Sequence, residues 1–259
     1  MTNELEVAIG AAKAAGEVLR NGFGHRQSVE YKGKVDLVTE ADQRAEWEIK
    51  EVLRDAFPDF GMLAEEGGEL EGEGEYRWIV DPLDGTTNYA HGVSIFATSI
   101  ALERNGEVVL GVVHDPIADE MYTAELGNGA TLNSQAIRVS DVDEPIRALL
   151  ATGFSSERED IAAALDLLAR FTGLTQGVRQ LGSAALETCY VASGRLDGCY
   201  RRGFSAWDVA AGTLIAEEAD GKVTDYRGRK LDLGGGTEIV ASNGLLHPSL
   251  TSVTSKDRG

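Results

Sequence analysis

Cysteine is almost missing from this chain of 259 residues: only Cys189 and Cys199 occur, and no second pair exists to build a thiolate metal site. Two reduced, partly buried thiols in a reducing compartment are the expected state. Histidine is also scarce. His25, His91, His114 and His247 stand far apart and form no H-x-x-x-H pattern, so a zinc–histidine centre is not expected. No stretch approaches the roughly 18 uninterrupted apolar residues of a membrane span. The opening MTNELEVAIG has no basic segment leading into an apolar one, so no secretory signal is expected and the cytoplasm is the expected location.

Lysine is the most informative shortage. The chain has seven Lys against seventeen Arg, and 24 basic residues against 43 acidic ones, for a net charge of −19 and a pI near 4.6. Such a surface repels nucleic acid and anionic membranes, and neither is an expected partner. Acidic excess with little lysine suits a high-salt cytoplasm, where salt screens the self-repulsion; an ordinary acidic cytosolic protein is the alternative.

What is present suits a globular fold: 42% hydrophobic and 26% charged residues, with enough length for one large domain or two closely packed subdomains. Leu5, Ala8, Ile9, Ala12, Ala15 and Leu19 recur at helical spacing over Glu4–Arg20, and Gly22 and Gly24 end that helix. Thr39-Glu40-Ala41-Asp42 reads as a capping box opening a second helix that Pro58 stops. Strands follow at Gly61–Ala64, Trp78–Val80, Ser94–Glu103 and Glu107–Val113, the last two joined by Asn105-Gly106, a strong hairpin signal. After Pro145 strands and helices alternate: strand Ala148–Thr152, helices Ile161–Phe171 and Ala184–Ala192, strand Leu196–Tyr200, helix Val209–Ala219, and strands Lys222–Asp225 and Glu238–Ala241. An antiparallel first half and an alternating second half predict an α+β chain with subdomains at about 1–143 and 144–259.

The stretch Trp78-Ile79-Val80-Asp81-Pro82-Leu83-Asp84-Gly85-Thr86-Thr87-Asn88 carries the chemistry. A buried strand delivers two aspartates three residues apart, able to converge on hard divalent cations. The N–H groups near Gly85 and Thr86 can cradle a phosphate. Alone, this is also the pattern of a plain Asp-Gly turn. Glu65 and Glu66 end a strand upstream, where an acidic edge running on to Glu69 and Glu71 is the plainer reading. Asp208 follows Trp207 at a helix start, where the macrodipole favours a negative charge in any case.

The combination is more specific. Gly61-Met62-Leu63-Ala64-Glu65-Glu66, the Trp78–Asn88 stretch and Trp207-Asp208-Val209-Ala210-Ala211-Gly212 occur in this order, with Asp36-Leu37-Val38-Thr39-Glu40-Ala41-Asp42 ahead of them. Together they resemble the inositol monophosphatase family, which belongs with the fructose-1,6-bisphosphatases among metal-dependent, lithium-sensitive phosphatases. The resemblance spans about residues 5 to 245 and implies a layered α-β-α-β-α sandwich with the active site where the two halves meet. By motif position it implies Glu65, Asp81 and the Leu83 carbonyl as ligands of one magnesium ion, and Asp81, Asp84 and Asp208 as ligands of a second, with about two or three Mg²⁺ per site. Glu66 sits beside this set. Asp42 and Thr86 match the pair that orients the attacking water, with Glu65 assisting, and the amides of Gly85 and Thr86 would hold phosphate. Lys32 or Lys34 falls near a basic residue beside the phosphate. A homodimer is the expected assembly.

The chemistry suits these residue types. A phosphate monoester dianion is a poor electrophile, so catalysis is mostly positioning and neutralisation of developing charge. No Cys or His nucleophile is suggested.

For the substrate, a sugar or cyclitol phosphate, Gly182-Ser183-Ala184-Ala185 matches the family segment whose backbone lines the pocket. Inositol-specific members commonly carry a glutamate seven residues ahead of the Asp208 position, where it accepts bonds from ring hydroxyls. Here Arg201 stands there, followed by Arg202. Arginine cannot accept a hydroxyl hydrogen bond but pairs well with phosphate. This resembles the archaeal dual-specificity enzymes that take both inositol 1-phosphate and fructose 1,6-bisphosphate; pairing of Arg201 and Arg202 with surface carboxylates is the alternative. A 3′-phosphoadenosine 5′-phosphate phosphatase, a non-catalytic regulator on the same fold and a metal buffer are the other readings. Against them stand Thr87-Asn88-Tyr89 after the central motif, the intact carboxylates and the Gly-Thr-Thr cradle.

Overall fold

The computed structural model describes residues 2–25, 29–31, 37–154, 161–235 and 238–256. Helix α1 (Asn3–Gly22) turns Leu5, Ala8, Ala12, Ala15 and Leu19 inward, and the Thr2 side chain caps it by accepting the Leu5 N–H. The strands β1 (Val29–Tyr31) and β2 (Leu37–Thr39) pair antiparallel and lead into α2 (Glu40–Ala56). Next come β3 (Gly61–Ala64), β4 (Gly68–Leu70), β5 (Tyr76–Asp84) and the short helix α3 (Thr86–Ala90). A meander follows: β6 (Ala97–Arg104), β7 (Glu107–Asp115), β8 (Glu120–Glu125), β9 (Ala130–Leu132) and β10 (Gln135–Ala136).

The strands from β3 to β10 form one sheet in the order β10-β9-β8-β7-β6-β5-β3-β4. Its pairs are antiparallel except β3–β5, which is parallel, so the sheet is mixed rather than wholly antiparallel. That exception places the ends of β3 and β5 side by side. The Asn105-Gly106 turn behaves as its residues predict, with both at positive φ between β6 and β7.

The second half supplies β11 (Leu149–Gly153), α4 (Ile161–Leu174), β12 (Gly177–Arg179), α5 (Ala184–Ala192), β13 (Gly198–Arg202), α6 (Ala206–Glu218), β14 (Lys222–Thr224), β15 (Glu238–Ser242) and α7 (His247–Thr254). The second sheet runs β12-β11-β13-β15-β14, with β11 parallel to β12 and β13, and β15 antiparallel to β13 and β14. The layers are α1 and α2, the large sheet, α5 and α6, the small sheet, then α4 and α7. Three buried clusters fill the four interfaces, the largest built around α5 and α6 between the sheets. Among the described residues, no helix is long and apolar enough to cross a membrane.

Several boundaries differ from the sequence expectation for physical reasons. Strand β13 starts two residues late and runs through Arg201, because Asp197 belongs to a turn in which its carboxylate accepts the Leu149 N–H at 2.6 Å. Helix α6 starts at Ala206 rather than Val209, because Asp208 reaches back to the Ser205 N–H at 2.7 Å. Strand β8 has no apolar–polar alternation to betray it, being buried on both faces.

One buried histidine sets a pH limit on stability. His247 lies at the start of α7 with Nε2 2.8 Å from Thr224 Oγ1 and Nδ1 2.8 Å from Ser242 Oγ. The Thr224 hydroxyl donates to the Asp225 carbonyl, so Nε2 is the donor and Nδ1 accepts from Ser242. Burial, with Lys222 adding to it, pushes the imidazole down to about 4. A base with a depressed folded pKa stabilises the fold above its unfolded value and loses that contribution as pH falls towards the folded one. The expected result is a fall of about 2–3 kcal/mol in unfolding free energy between pH 7 and pH 4 from this group. Urea titrations of the wild type and His247→Gln test it: the variant should lose that part of the pH dependence, and equal slopes would remove His247 as its source.

Candidate active site

Strand β5 brings two aspartates to its end by breaking register. The pairing with β6 shifts between Asp81 and Asp84, with Pro82 between them, so both carboxylates end on the side facing α5 and α6. Asp81 accepts the Leu83 N–H at 2.9 Å, which tightens the bulge. Gly85 follows at φ +103, with the carbonyls of Ile95 and Gly182 3.0 and 3.2 Å from where a Cβ would sit. Only glycine fits both the conformation and the space.

Asp208 enters from the first turn of α6. The nearest carboxylate oxygens of Asp81, Asp84 and Asp208 all lie within 4.8 Å of one another, and the first two residues are buried. Glu65, one residue past β3, donates its N–H to the Val80 carbonyl at 3.1 Å and so stands beside Asp81 on the neighbouring parallel strand. Burial, then Glu65, Asp84 and Asp208, raise the Asp81 carboxyl well above the usual range. Burial likewise raises Asp84, against hydrogen bonds from Ser183, and pushes Asp208 up to about 6.

This is a cluster of mutually repelling acidic groups, two of them buried and the third half-buried. Carboxylates and a nearby carbonyl are the hard oxygen donors that magnesium takes, and a divalent cation would relieve their repulsion. The residues therefore fit the metal. Asp81, Asp84 and Asp208 are the carboxylates close enough to share one ion, with Glu65 beside Asp81.

Asp42 sits in the first turn of α2, fully buried. One of its oxygens accepts both the N–H and the hydroxyl of Thr39, while the other lies 3.1 Å from the Thr86 hydroxyl. That hydroxyl is also 3.1 Å from the Leu83 carbonyl. Burial, only partly offset by Thr39, raises Asp42 to about 6. Asp42 and Thr86 are thus in contact and face the aspartate array across Leu83.

The segment at Gly182–Ala184 meets the same centre. Ser183 Oγ and the Ala185 N–H both donate to Asp84 Oδ2, the latter at 2.7 Å. Asn88 Nδ2 ties this segment to the central motif, donating to the Leu181 and Ile95 carbonyls at 2.8 and 2.7 Å. The motifs read from the sequence therefore share one site. Lys32 and Lys34, together with Asp36 of the first motif, lie outside the described residues.

The surroundings of Arg201 correct one expectation. Arg201 lies within β13 rather than past a strand ending at Tyr200, and, as in the alternative reading, it pairs with a carboxylate, though a buried one: Nη2 donates to Glu187 Oε2 of α5 at 2.9 Å. The Glu187 side chain is 2% exposed and that of Arg201 is 17% exposed. Gly153 makes the room, since a Cβ there would fall 2.3 Å from the guanidinium carbon. Burial opposes the arginine charge, but Glu187, Asp84 and Asp208 together outweigh it. Arg202 pairs separately with Glu238 on the neighbouring strand β15, both side chains half-buried. Glu187 belongs to none of the motifs read from the sequence. A glutamate on an apolar helix face, six residues after Leu181, was the available signal.

The profile of the inositol monophosphatase family matches residues 1–257. An inositol-1-monophosphatase of Mesorhizobium japonicum is 43% identical over 256 residues, covering 97% of this chain and 96% of that protein. The Nus factor SuhB of Pseudomonas aeruginosa is 42% identical over 247 residues, covering 92% of this chain and 91% of that protein. Among solved structures, the extragenic suppressor protein suhB of Bartonella henselae superposes with a TM-score of 0.95 at 40% identity, covering 99% of this chain and 100% of its own.

Proposed function

The chain belongs to the inositol monophosphatase family, and from that premise we propose that it is a magnesium-dependent hydrolase of sugar or cyclitol phosphate monoesters, taking inositol 1-phosphate and fructose 1,6-bisphosphate. The observation that carries this reading is the convergence of Asp81, Asp84 and Asp208 within 4.8 Å. The Asp42–Thr86 contact beside them supports it.

In this reading Glu65, Asp81, the Leu83 carbonyl, Asp84 and Asp208 hold the magnesium ions. When bound, the metal supplies positive charge that eases deprotonation of the attacking water and neutralises the phosphoryl oxygens. The protein residues do the orienting. Thr86, its hydroxyl proton directed at Asp42, presents an oxygen lone pair to the water, and Asp42 is the proton acceptor behind it. Glu65 assists from the β3 side. The Gly85 and Thr86 amides hold the phosphate, and Gly182, Ser183 and Ala184 line the alcohol side of the ester. Arg201, partly exposed and paired through Nη2 with Glu187, is the contact for a second phosphate.

The test is phosphate release from inositol 1-phosphate, fructose 1,6-bisphosphate and 3′-phosphoadenosine 5′-phosphate, with magnesium and with chelator. Release from the first two only with magnesium is the expected result. No release from any substrate would overturn the reading, and preference for the nucleotide would replace the substrate class.

The name of the Pseudomonas relative motivates a second reading, in which the chain also serves as a Nus factor. Its test is whether a folded, inactive Asp84→Asn variant retains that role. The charge of −19 motivates a third element, a cytoplasm of high salt. The melting temperature is expected to rise between dilute buffer and molar potassium chloride, and an unchanged value would contradict salt adaptation.

A further inference from the structure

A buried carboxylate with no part in the proposed chemistry lies one helical turn behind Asp42. Glu46 is 4% exposed on the inner face of α2, a position where an unpaired charge is costly. Its two oxygens have separate duties. Oε1 accepts from Lys50 Nζ at 2.6 Å, an i,i+4 pair, and Oε2 accepts the backbone N–H of Glu66 at 2.8 Å.

The second contact matters because of where it falls along the chain. The Glu65 N–H still follows the β3–β5 ladder, bonding the Val80 carbonyl, whereas the next N–H leaves the sheet for Glu46. The ladder therefore ends at Glu65, whose side chain is left beside Asp81 on the adjacent strand. The turn is closed by Gly67, where a Cβ would lie 1.9 Å from Lys50 Nζ and 2.8 Å from Glu46 Oε1. Helix α2 thus carries Asp42 on one turn and grips the Glu65–Glu66 turn with the next. Side chains four apart share a helix face, so one rigid element spaces both parts of the site.

We propose that Glu46 is a positioning residue for the cation site: its carboxylate, balanced by Lys50, fixes the Glu65–Glu66 turn so that the Glu65 carboxylate faces Asp81. This rests on the magnesium-dependent reading above. Outer partners that orient metal-ligating groups typically change metal affinity by about 10–100-fold when removed. A residue that only fills the core would change melting temperature and leave metal affinity alone.

The experiment is a calorimetric Mg²⁺ titration of the full-length wild type, Glu46→Gln and Glu46→Met, with melting curves of each in chelator. Glu46→Met is expected to weaken Mg²⁺ binding by about 10–100-fold. Glu46→Gln keeps an acceptor for the Glu66 N–H but loses the ionic pair with Lys50, and is expected to weaken binding by a smaller factor while staying folded. Mg²⁺ affinities within about twofold of the wild type for a folded Glu46→Met, whatever its melting temperature, would overturn the proposal. Should Glu46→Met fail to fold, an unchanged affinity in Glu46→Gln would do the same. Absence of Mg²⁺ binding by the wild type itself would instead overturn the metal-dependent reading, and this one with it.

Discussion

Asp84→Asn is expected to lose about a hundredfold or more in turnover with magnesium, yet to melt higher than the wild type in chelator. The substitution keeps the shape of the side chain, and its remaining oxygen can still accept from Ser183 Oγ and the Ala185 N–H. What it removes is one charge from a buried array. Burial raises the Asp84 carboxyl, and its charge in turn helps to raise Asp81 and Asp208. A carboxyl raised in the fold contributes stability that is present at low pH and lost as pH rises through its folded value. At pH 7 without a cation these groups therefore oppose folding, and deleting one charge relieves the others. Magnesium reverses the order, because only a protein that binds it tightly is stabilised by mass action. The loss of turnover follows from the several kcal/mol that a cation contributes to the transition state, at about 1.4 kcal/mol per tenfold. Steady-state assays and melting curves with and without Mg²⁺ measure both halves. Full activity of the variant, or of the wild type in chelator, would sink the metal mechanism.

The parts of this molecule legible in the sequence are those whose signal is local. Helix α1 follows from its apolar spacing, and the β6–β7 hairpin from Asn105-Gly106. The Trp78–Asn88 stretch, Glu65 and Asp208, marked by separate motifs, come together in the fold. Two kinds of feature stayed hidden. Strands such as β8, buried on both faces, carry no alternation, and the parallel pairing of β3 with β5 joins segments that sequence order does not relate. Partners far apart in the chain also leave no local trace: Glu187 opposite Arg201, and Glu46 opposite the Glu66 amide, are fourteen and twenty residues away from them. Glu46 looks like an ordinary helical glutamate in a chain with 43 acidic residues, and the apolar helix around Glu187 marks it as unusual without pointing to Arg201.

Arg201→Ala tests the substrate proposal and, because of Glu187, needs a second variant to be read. Removing the arginine leaves the Glu187 carboxylate, 2% exposed, without its cation. Breaking a buried pair in this way costs about 3 kcal/mol or more, which proton uptake by Glu187 reduces, since burial already raises that carboxyl. Lost activity in Arg201→Ala alone could therefore reflect a disturbed α5 rather than a missing phosphate contact. Adding Glu187→Gln removes the stranded charge. The double variant is expected to regain most of the lost stability but not the selectivity. If Arg201 meets a second phosphate, both variants lose a charge-assisted contact of about 1.5–3 kcal/mol on fructose 1,6-bisphosphate, a fall of about ten- to a hundredfold in kcat/KM. Inositol 1-phosphate, with one phosphate, loses much less. Equal losses on both substrates that Glu187→Gln restores would make Arg201 the counter-ion of Glu187 and nothing more. In that case the pair serves to pack α5 against β13 beside the aspartates, and an inositol-type monophosphatase becomes the better description.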